Sequence, residues 1–357
     1  VTIEPAVKLL RSQKNRGRVI CNSAPCYIIA EIGVNHNGDL ATAHKLIDAA
    51  KDASADAVKF QTYRTKALVR NGAKQALYQA MTVGEMSQDI MLQRLELSDD
   101  AFRELKSHCN AVGIDFISTA FDSESLENVI SLEPVCLKWP SGELDNHPFL
   151  QQAADSGLPI LLSTGMSDAR ETGAAISLVQ RTVVDKLIVL QCVSNYPARI
   201  EDQNLRVMPQ IAEKYGVPVG FSDHTIGPYA ALAARALGMS VLEKHFTLDR
   251  NMEGPDHLSS IEPKEFGEMV AILRSVEMGL GDGVKRPVAS ELEVRSVARK
   301  SLVYAKAICK GTRLSLSDFT SKRPGDGLPP HRMSEFLGQK INRDVTADQN
   351  VLEDHFE

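Results

Sequence analysis

Val217-Pro-Val-Gly-Phe-Ser-Asp-His224, followed by Met239-Ser-Val-Leu-Glu-Lys-His245, decides how the chain is read. Each stretch is a short apolar, β-like run that ends in a histidine. A barrel of parallel strands delivers its functional side chains at the carboxyl ends of the strands. Two imidazoles at equivalent ends therefore come together, and neutral imidazole is the commonest ligand of a divalent transition metal. One histidine alone would more often be a hydrogen-bonded core residue. The pair points to a site.

Working outward, short β-branched runs alternate with amphipathic stretches, the pattern of parallel βα units. The runs are 27–32, 57–61, 114–119, 135–139, 159–164, 187–192, 217–222 and 241–246. Eight of them are the number that closes a (β/α)8 TIM barrel, within the roughly 250 residues typical of that fold. Helical patterns lie between them, for example at 41–53, 98–113 and 263–281. Ser98 stands where an N-cap belongs, and Gly113 and Gly281 where helix C-terminal glycines belong. The stretch 65–97 is too long for a simple βα loop, and its partly helical text reads as a lid, a subunit contact or a surface decoration. The barrel pattern stops near Gly281-Asp-Gly-Val-Lys-Arg-Pro287. After a short charged helix, brief strands separated by Gly, Pro and Asp turns predict a small β-rich domain. The expected organisation is a TIM-barrel catalytic domain over 1–285, a linker over 286–297 and a small domain over 298–357, close to the lower size limit for folding alone.

Composition excludes several classes of function. A net charge of -6 with 24% charged residues gives no basic field for nucleic acid. No apolar run has the length of a membrane span, and the first eighteen residues carry charges where a signal peptide needs an apolar centre. Six cysteines, at 21, 26, 109, 136, 192 and 309, lack the spacing of a zinc knuckle or a secreted disulfide framework, so they read as buried thiols in a reducing cytoplasm.

The strand ends are polar in a patterned way. Glu31 ends the first, Lys59 and Gln61 the second, and Ser118 and Thr119 the third; Lys138, Ser141 and Glu143 follow the fourth. Ser163 and Thr164 end the fifth, Gln191, Ser194 and Tyr196 follow the sixth, and Ser222, His224, Glu243 and His245 belong to the last two. Barrel layers need apolar side chains, so lysines and carboxylates within strands require a ligand to explain them. Residues two apart on a strand share a face, which pairs Lys59 with Gln61, Ser222 with His224 and Glu243 with His245. Two lysines with hydroxyl donors suit a phosphate and a carboxylate, and two imidazoles suit a metal.

The phrases Ala30-Glu-Ile-Gly-Val-Asn-His-Asn-Gly38, Val58-Lys-Phe-Gln61, Lys138-Trp-Pro-Ser-Gly-Glu143, Leu162-Ser-Thr-Gly-Met166, Phe221-Ser-Asp-His224, Glu243-Lys-His245 and Glu253-Gly-Pro-Asp-His257 resemble those of the sialic acid synthases. Lys322-Arg-Pro-Gly-Asp-Gly327 is similar to a phrase of the antifreeze-like (SAF) domain of those enzymes. The resemblance runs along nearly the whole chain, in order. It implies condensation of phosphoenolpyruvate with an N-acylated mannosamine-type sugar, giving phosphate and a nine-carbon 2-keto acid. It implies a divalent metal on His224 and His245, usually manganese, with magnesium or cobalt as alternatives. Lys59, Thr119, Lys138, Ser141, Ser163 and Ser222 would hold phosphoenolpyruvate. Glu31, Gln61, Tyr196 and Asp256 would meet the sugar, Ser194 would stand where some members have asparagine, and Arg323 would reach in from the partner of a domain-swapped homodimer. Glu31 and Glu143 are the candidates for proton transfer.

Three rival readings bear on the same residues. A Schiff-base barrel aldolase would need a strand lysine, which 187–192 lacks, although Lys59 or Lys138 could serve. A legionaminic acid synthase, or another nonulosonic acid synthase, fits the same phrases. A non-catalytic carbohydrate- or ice-binding protein would fit the tail alone, but would have no use for two lysines and two histidines at barrel strand ends.

Overall fold

The computed structural model describes residues 4–10 and 17–356, so parts of the charged N-terminal stretch, 1–3 and 11–16, lie outside the described residues. β1 (Val7–Lys8) and β2 (Val19–Ile20) form a short antiparallel hairpin. The eight expected runs become β3 (Tyr27–Gly33), β4 (Ala57–Thr62), β5 (Asp115–Ala120), β6 (Leu137–Trp139), β7 (Ile160–Ser163), β8 (Leu187–Cys192), β9 (Val219–Asp223) and β10 (Val241–His245). They close a barrel in the order β10-β3-β4-β5-β6-β7-β8-β9, with every neighbouring pair parallel. One long helix follows each strand: Leu40–Asp52, Asp99–Val112, Ser123–Ser131, His147–Asp155, Ala169–Thr182, Val207–Tyr215, Tyr229–Ala236 and Pro263–Leu280. The (β/α)8 expectation is met.

Local chemistry sets these boundaries. Helix Asp99–Val112 starts where the Ser98 hydroxyl accepts from the Ala101 amide, and two acidic residues occupy its first turn, at the positive end of the helix dipole. Its buried face is Ala101, Phe102, Leu105 and Cys109, one stripe at helical spacing. It stops at Gly113, whose φ of 76° is a left-handed conformation that glycine adopts without strain. Loss of the serine cap would cost about 1 kcal/mol.

Two apolar layers hold the barrel. The outer one packs strand residues such as Phe60, Phe116 and Phe221 against the helices. The inner one lies at the barrel floor, where Val7, Leu9 and Ile20 of the hairpin pack with Tyr27, Ile29, Ala57, Ile117 and Val241. The hairpin thus closes the end opposite the site and leaves the carboxyl ends of the strands open. The 65–97 stretch carries the helices Thr65–Leu68, Leu77–Val83 and Gln88–Leu95. Met91 and Leu95 of the last pack on Val34 and Tyr63, so the excursion is anchored to the loops at the carboxyl ends of β3 and β4.

The chain divides into compact units between Gly281 and Asp282. The second unit includes the helix Leu292–Ala298 and the antiparallel pair β11 (Ser301–Tyr304) and β12 (Phe319–Lys322). Its own core is Leu302, Tyr304, Ile308, Leu314, Phe319, Phe336, Ile341, Val345 and Val351. All six cysteines are free thiols, and the reading of them as buried needs correction. Cys26, Cys109, Cys136 and Cys192 are buried, Cys21 is half-buried, and Cys309 is exposed on a turn of the second unit. Among the described residues no helix is long and apolar enough to cross a membrane.

Candidate active site

Parallel register brings the predicted residues into one layer at the carboxyl ends of the strands. Glu31 is paired with both Lys59 and His245, Thr119 with both Gln61 and Lys138, and Ser222 with both Cys192 and Glu243. Above this layer lies a cavity of about 870 Å³, within the range of small-molecule sites. Glu31, Lys59, Gln61, Thr119, Lys138, Ser141, Ser163, Ser194, Tyr196, Ser222, His224 and His245 all line it.

Its floor is a buried chain of charge. Lys59 Nζ lies 2.8 Å from Glu31 Oε2, 3.7 Å from Glu243 Oε1 and 3.3 Å from the Thr119 hydroxyl, to which it donates. Lys138 Nζ lies 3.7 Å from the same Glu243 oxygen, and Ser222 donates to that oxygen at 2.9 Å. Gln61 donates to the other oxygen of Glu31 at 3.1 Å. Burial pushes the Glu31 carboxyl up to about 7 despite the Lys59 ammonium beside it. Burial also raises Glu243, but Lys138 and Lys59 outweigh it and hold that carboxyl below its ordinary value. Burial lowers Lys138 against the pull of Glu243. For Lys59 burial acts the same way, yet Glu243 and Glu31 prevail and hold it above the usual lysine value. Ser163 Oγ and Glu243 Oε2 are buried and have no hydrogen-bond partner among the described residues. The unpartnered Ser163 hydroxyl is a donor in the same cavity as two ammonium groups, a combination that indicates a place for a polyanion.

The imidazoles of His224 and His245 sit with ring centres 5.4 Å apart. His224 Nδ1 is 2.7 Å from the Val193 carbonyl, an N–H···O bond that fixes the tautomer and leaves Nε2 as the electron-pair donor. His245 Nδ1 is buried without a hydrogen bond, and burial together with His224 holds this imidazole well below its ordinary pKa. Burial also acts against charge on His224, but the Cys192 thiol, 3.9 Å from Nδ1, brings its pKa above the ordinary value. A metal bound there would displace that proton. Two neutral nitrogen donors fit a divalent transition metal. Among the described residues no third His, Cys, Asp or Glu completes a ligand set, so further ligands would be water or substrate oxygens. Asp256 lies behind, with Oδ2 3.9 Å from His245 Nδ1, and burial pushes its carboxyl up to about 6. The Tyr196 ring is 4.2 Å from that of His224 and 5.5 Å from that of His245.

Ser141 Oγ accepts from the Gly165 amide at 2.9 Å, and Ser194 Oγ lies 3.9 Å from Cys192 Sγ. Glu143 is not brought into the cavity. Its carbonyl accepts from the Trp139 indole at 2.7 Å and its carboxylate from Asn146 at 2.8 Å, so it braces the loop after β6. Arg323 follows β12 in the second unit, exposed and with no ion pair or hydrogen bond among the described residues. Glu243 was legible as a strand residue sharing a face with His245, but its role between two lysines needs the closed barrel. Cys192, Asn195, Gln79 and Gln88 also line the cavity. Nothing in their local sequence distinguishes the last two from helix-surface glutamines.

A NeuB family profile matches residues 46–285 and a SAF domain profile residues 299–357. The N,N'-diacetyllegionaminic acid synthase of Legionella pneumophila is 42% identical over 341 residues, covering 94% of this chain and 96% of that protein. The N-acetylneuraminate-9-phosphate synthase of Homo sapiens is 35% identical across 95% of this chain and 94% of its own length. A solved structure, N-acetylneuraminic acid synthetase from Leptospira borgpetersenii in complex with citrate, is similar with a TM-score of 0.70 at 34% identity, covering 81% of this chain and 95% of that one. With both profiles in the expected order and relatives matched along nearly the full length, this chain belongs to the NeuB family and carries a SAF domain.

Proposed function

We propose that this chain is a nonulosonic acid synthase that condenses phosphoenolpyruvate with the open-chain aldehyde of an N-acylated mannosamine-type sugar, giving a nine-carbon 2-keto acid and inorganic phosphate. The observation that carries this reading is the cavity floor, where Lys59 and Lys138 flank Glu243 beside the unpartnered Ser163 hydroxyl, under two imidazoles. Two acceptors compete: N-acetylmannosamine, which gives sialic acid, and a mannosamine bearing two N-acetyl groups, which gives a legionaminic acid. The higher identity to the Legionella protein favours the second.

In this reading Lys59 and Lys138 neutralise the phosphate and carboxylate of phosphoenolpyruvate, and Thr119, Ser141, Ser163 and Ser222 orient them. A divalent metal on His224 and His245, manganese before magnesium or cobalt, would supply Lewis-acid polarisation of the aldehyde oxygen. The enol carbon of phosphoenolpyruvate forms a C–C bond to the aldehyde carbon, leaving a cationic centre at C2. Water adds to C2, and its proton passes to Glu31, whose pKa of about 7 suits proton exchange near neutrality. Phosphate then leaves with cleavage of the C–O bond and takes the proton of the C2 hydroxyl, which becomes the ketone, while Glu31 returns its proton to the alkoxide formed from the aldehyde oxygen. Gln61 and Tyr196 face the sugar, Asp256 stands behind His245, and Arg323 of a second copy hydrogen-bonds the acyl carbonyl.

The test is phosphate release and keto acid formation against a panel of N-acyl hexosamines. Release that depends on an N-acyl mannosamine, is abolished by a chelator and is restored by manganese supports the reading. No release with any sugar, or borohydride trapping of a lysine adduct with pyruvate, would replace it with the aldolase reading.

A further inference from the structure

We infer that the buried ion pair of Asp223 and Lys244, on the outer face of the barrel, is a positioning element: it sets the spacing of His224 and His245, and so the affinity for the divalent metal, and contributes little to stability. The inference rests on the metal assignment made above and names the residues that govern it. Asp223 precedes His224 and Lys244 precedes His245, and the two stand opposite one another in the register of β9 and β10. Alternation along a strand turns them away from the cavity that the histidines line, to the face that carries Phe221, Leu242 and Phe246. Apolar side chains dominate that face, so a buried carboxylate and ammonium there require an explanation.

The backbone supplies one. The ladder between β9 and β10 ends at the pair Asp223–Lys244. Just past it the two chains turn to opposite neighbours: the His224 carbonyl accepts from the Ala198 amide at 2.9 Å, on the side of β8, and the Phe246 amide donates to the Glu31 carbonyl at 2.8 Å, on the side of β3. A shared metal needs the reverse, two imidazoles held together, and their ring centres are 5.4 Å apart. Lys244 spans the divergence. Its Nζ donates to Asp223 Oδ2 at 2.8 Å and, reaching past the end of the ladder, to the Thr225 carbonyl at 2.6 Å. Asp223 Oδ1 in turn accepts from the Thr225 amide at 2.8 Å and from its hydroxyl at 2.7 Å. The residues on both sides of His224 are thereby tied to the residue before His245, and all three are buried. A buried ion pair is a poor source of stability, because desolvation offsets the attraction, but its satisfied hydrogen bonds fix a geometry.

The experiment measures manganese binding from the electron paramagnetic resonance signal of the free ion, thermal melting of the metal-free protein, and KM for phosphoenolpyruvate at saturating manganese. Lys244→Met leaves a buried carboxylate unpaired and should lower both the melting temperature and the manganese affinity. The deciding variant combines Lys244→Met with Asp223→Asn, which removes both charges and keeps an acceptor for Thr225. It should melt close to the unaltered chain and still bind manganese about 10- to 100-fold more weakly. Its KM for phosphoenolpyruvate should stay unchanged, because Lys59 and Lys138 stand on β4 and β6. Unaltered manganese affinity in the double variant would overturn the inference and leave the metal assignment standing. A double variant that melts far lower and loses manganese and phosphoenolpyruvate together would show a pair that serves stability, and would overturn it too. Manganese bound equally by the unaltered chain and by a variant carrying His224→Ala and His245→Ala would remove the metal from the imidazoles, and the inference with it.

Discussion

Glu243 shows how one carboxylate sets the charge of a cavity floor. Its Oε1 takes the Ser222 hydroxyl and faces two ammonium groups at 3.7 Å each, while burial draws down the pKa of Lys138. Glu243 is the largest influence opposing that fall. Glu243→Gln therefore lowers Lys138 further, and a lysine lowered in pKa loses its proton as pH rises. The variant should bind phosphoenolpyruvate almost normally at the acid end of its working range, with KM climbing as pH increases and the climb starting at lower pH than in the unaltered enzyme. Parallel KM profiles against pH check this, and coincident profiles would show that Glu243 does not govern Lys138. Glu31 behaves differently although it touches the same lysine, because burial outweighs one partner where it does not outweigh two.

Glycines on two elements separate the demands of site and barrel. A Cβ on Gly165, just past β7, would stand 2.3 Å from Ser194 Oγ and 2.8 Å from Ser141 Oγ, both rotatable hydroxyls at the cavity. A Cβ on Gly220 within β9 would stand 2.3 Å from Leu190 Cδ2 and 2.6 Å from the Val241 carbonyl, which cannot turn aside. Gly165→Ala should lower kcat/KM by about 100-fold with little loss of stability, and Gly220→Ala should destabilise the barrel by about 1–3 kcal/mol. Thermal melts beside steady-state kinetics distinguish them, and the reverse ranking would contradict these placements. The barrel strands were legible because each is an apolar run bounded by turn residues, and the polar strand ends because nothing in a barrel core explains Lys59 or His245. The β1–β2 hairpin was not legible. Two-residue strands carry no periodicity, and Val7 and Ile20 find their apolar partners only on the floor of a closed barrel. Glu143 was misleading for a related reason: its motif sits beside the site, but a 3-10 turn, Ser141–Glu143, ties it to the loop.

At the scale of the molecule, the second unit has its own core yet begins with a stretch whose Val284, Val288, Leu292, Val294 and Val297 are each more than half exposed. Exposed apolar side chains in succession invite a partner surface, and we propose a homodimer in which Arg323 serves the barrel of the other copy. Arg323→Ala should then lose sugar affinity and keep phosphoenolpyruvate and metal binding. Mixed with Lys59→Ala it should regain activity, because one cavity of each mixed dimer has an intact barrel and an intact arginine; mixed dimers without activity would place Arg323 outside the site. All of this presupposes that the whole molecule is a synthase that expels an intact phosphate. The direct measurement uses phosphoenolpyruvate carrying heavy oxygen at the bridge between C2 and phosphorus, turned over with an N-acyl mannosamine. The label is expected in inorganic phosphate alongside a nine-carbon keto acid. Phosphate without label, or no sugar-dependent phosphate at all, would contradict C–O cleavage and the assignment of the cavity floor to phosphoenolpyruvate.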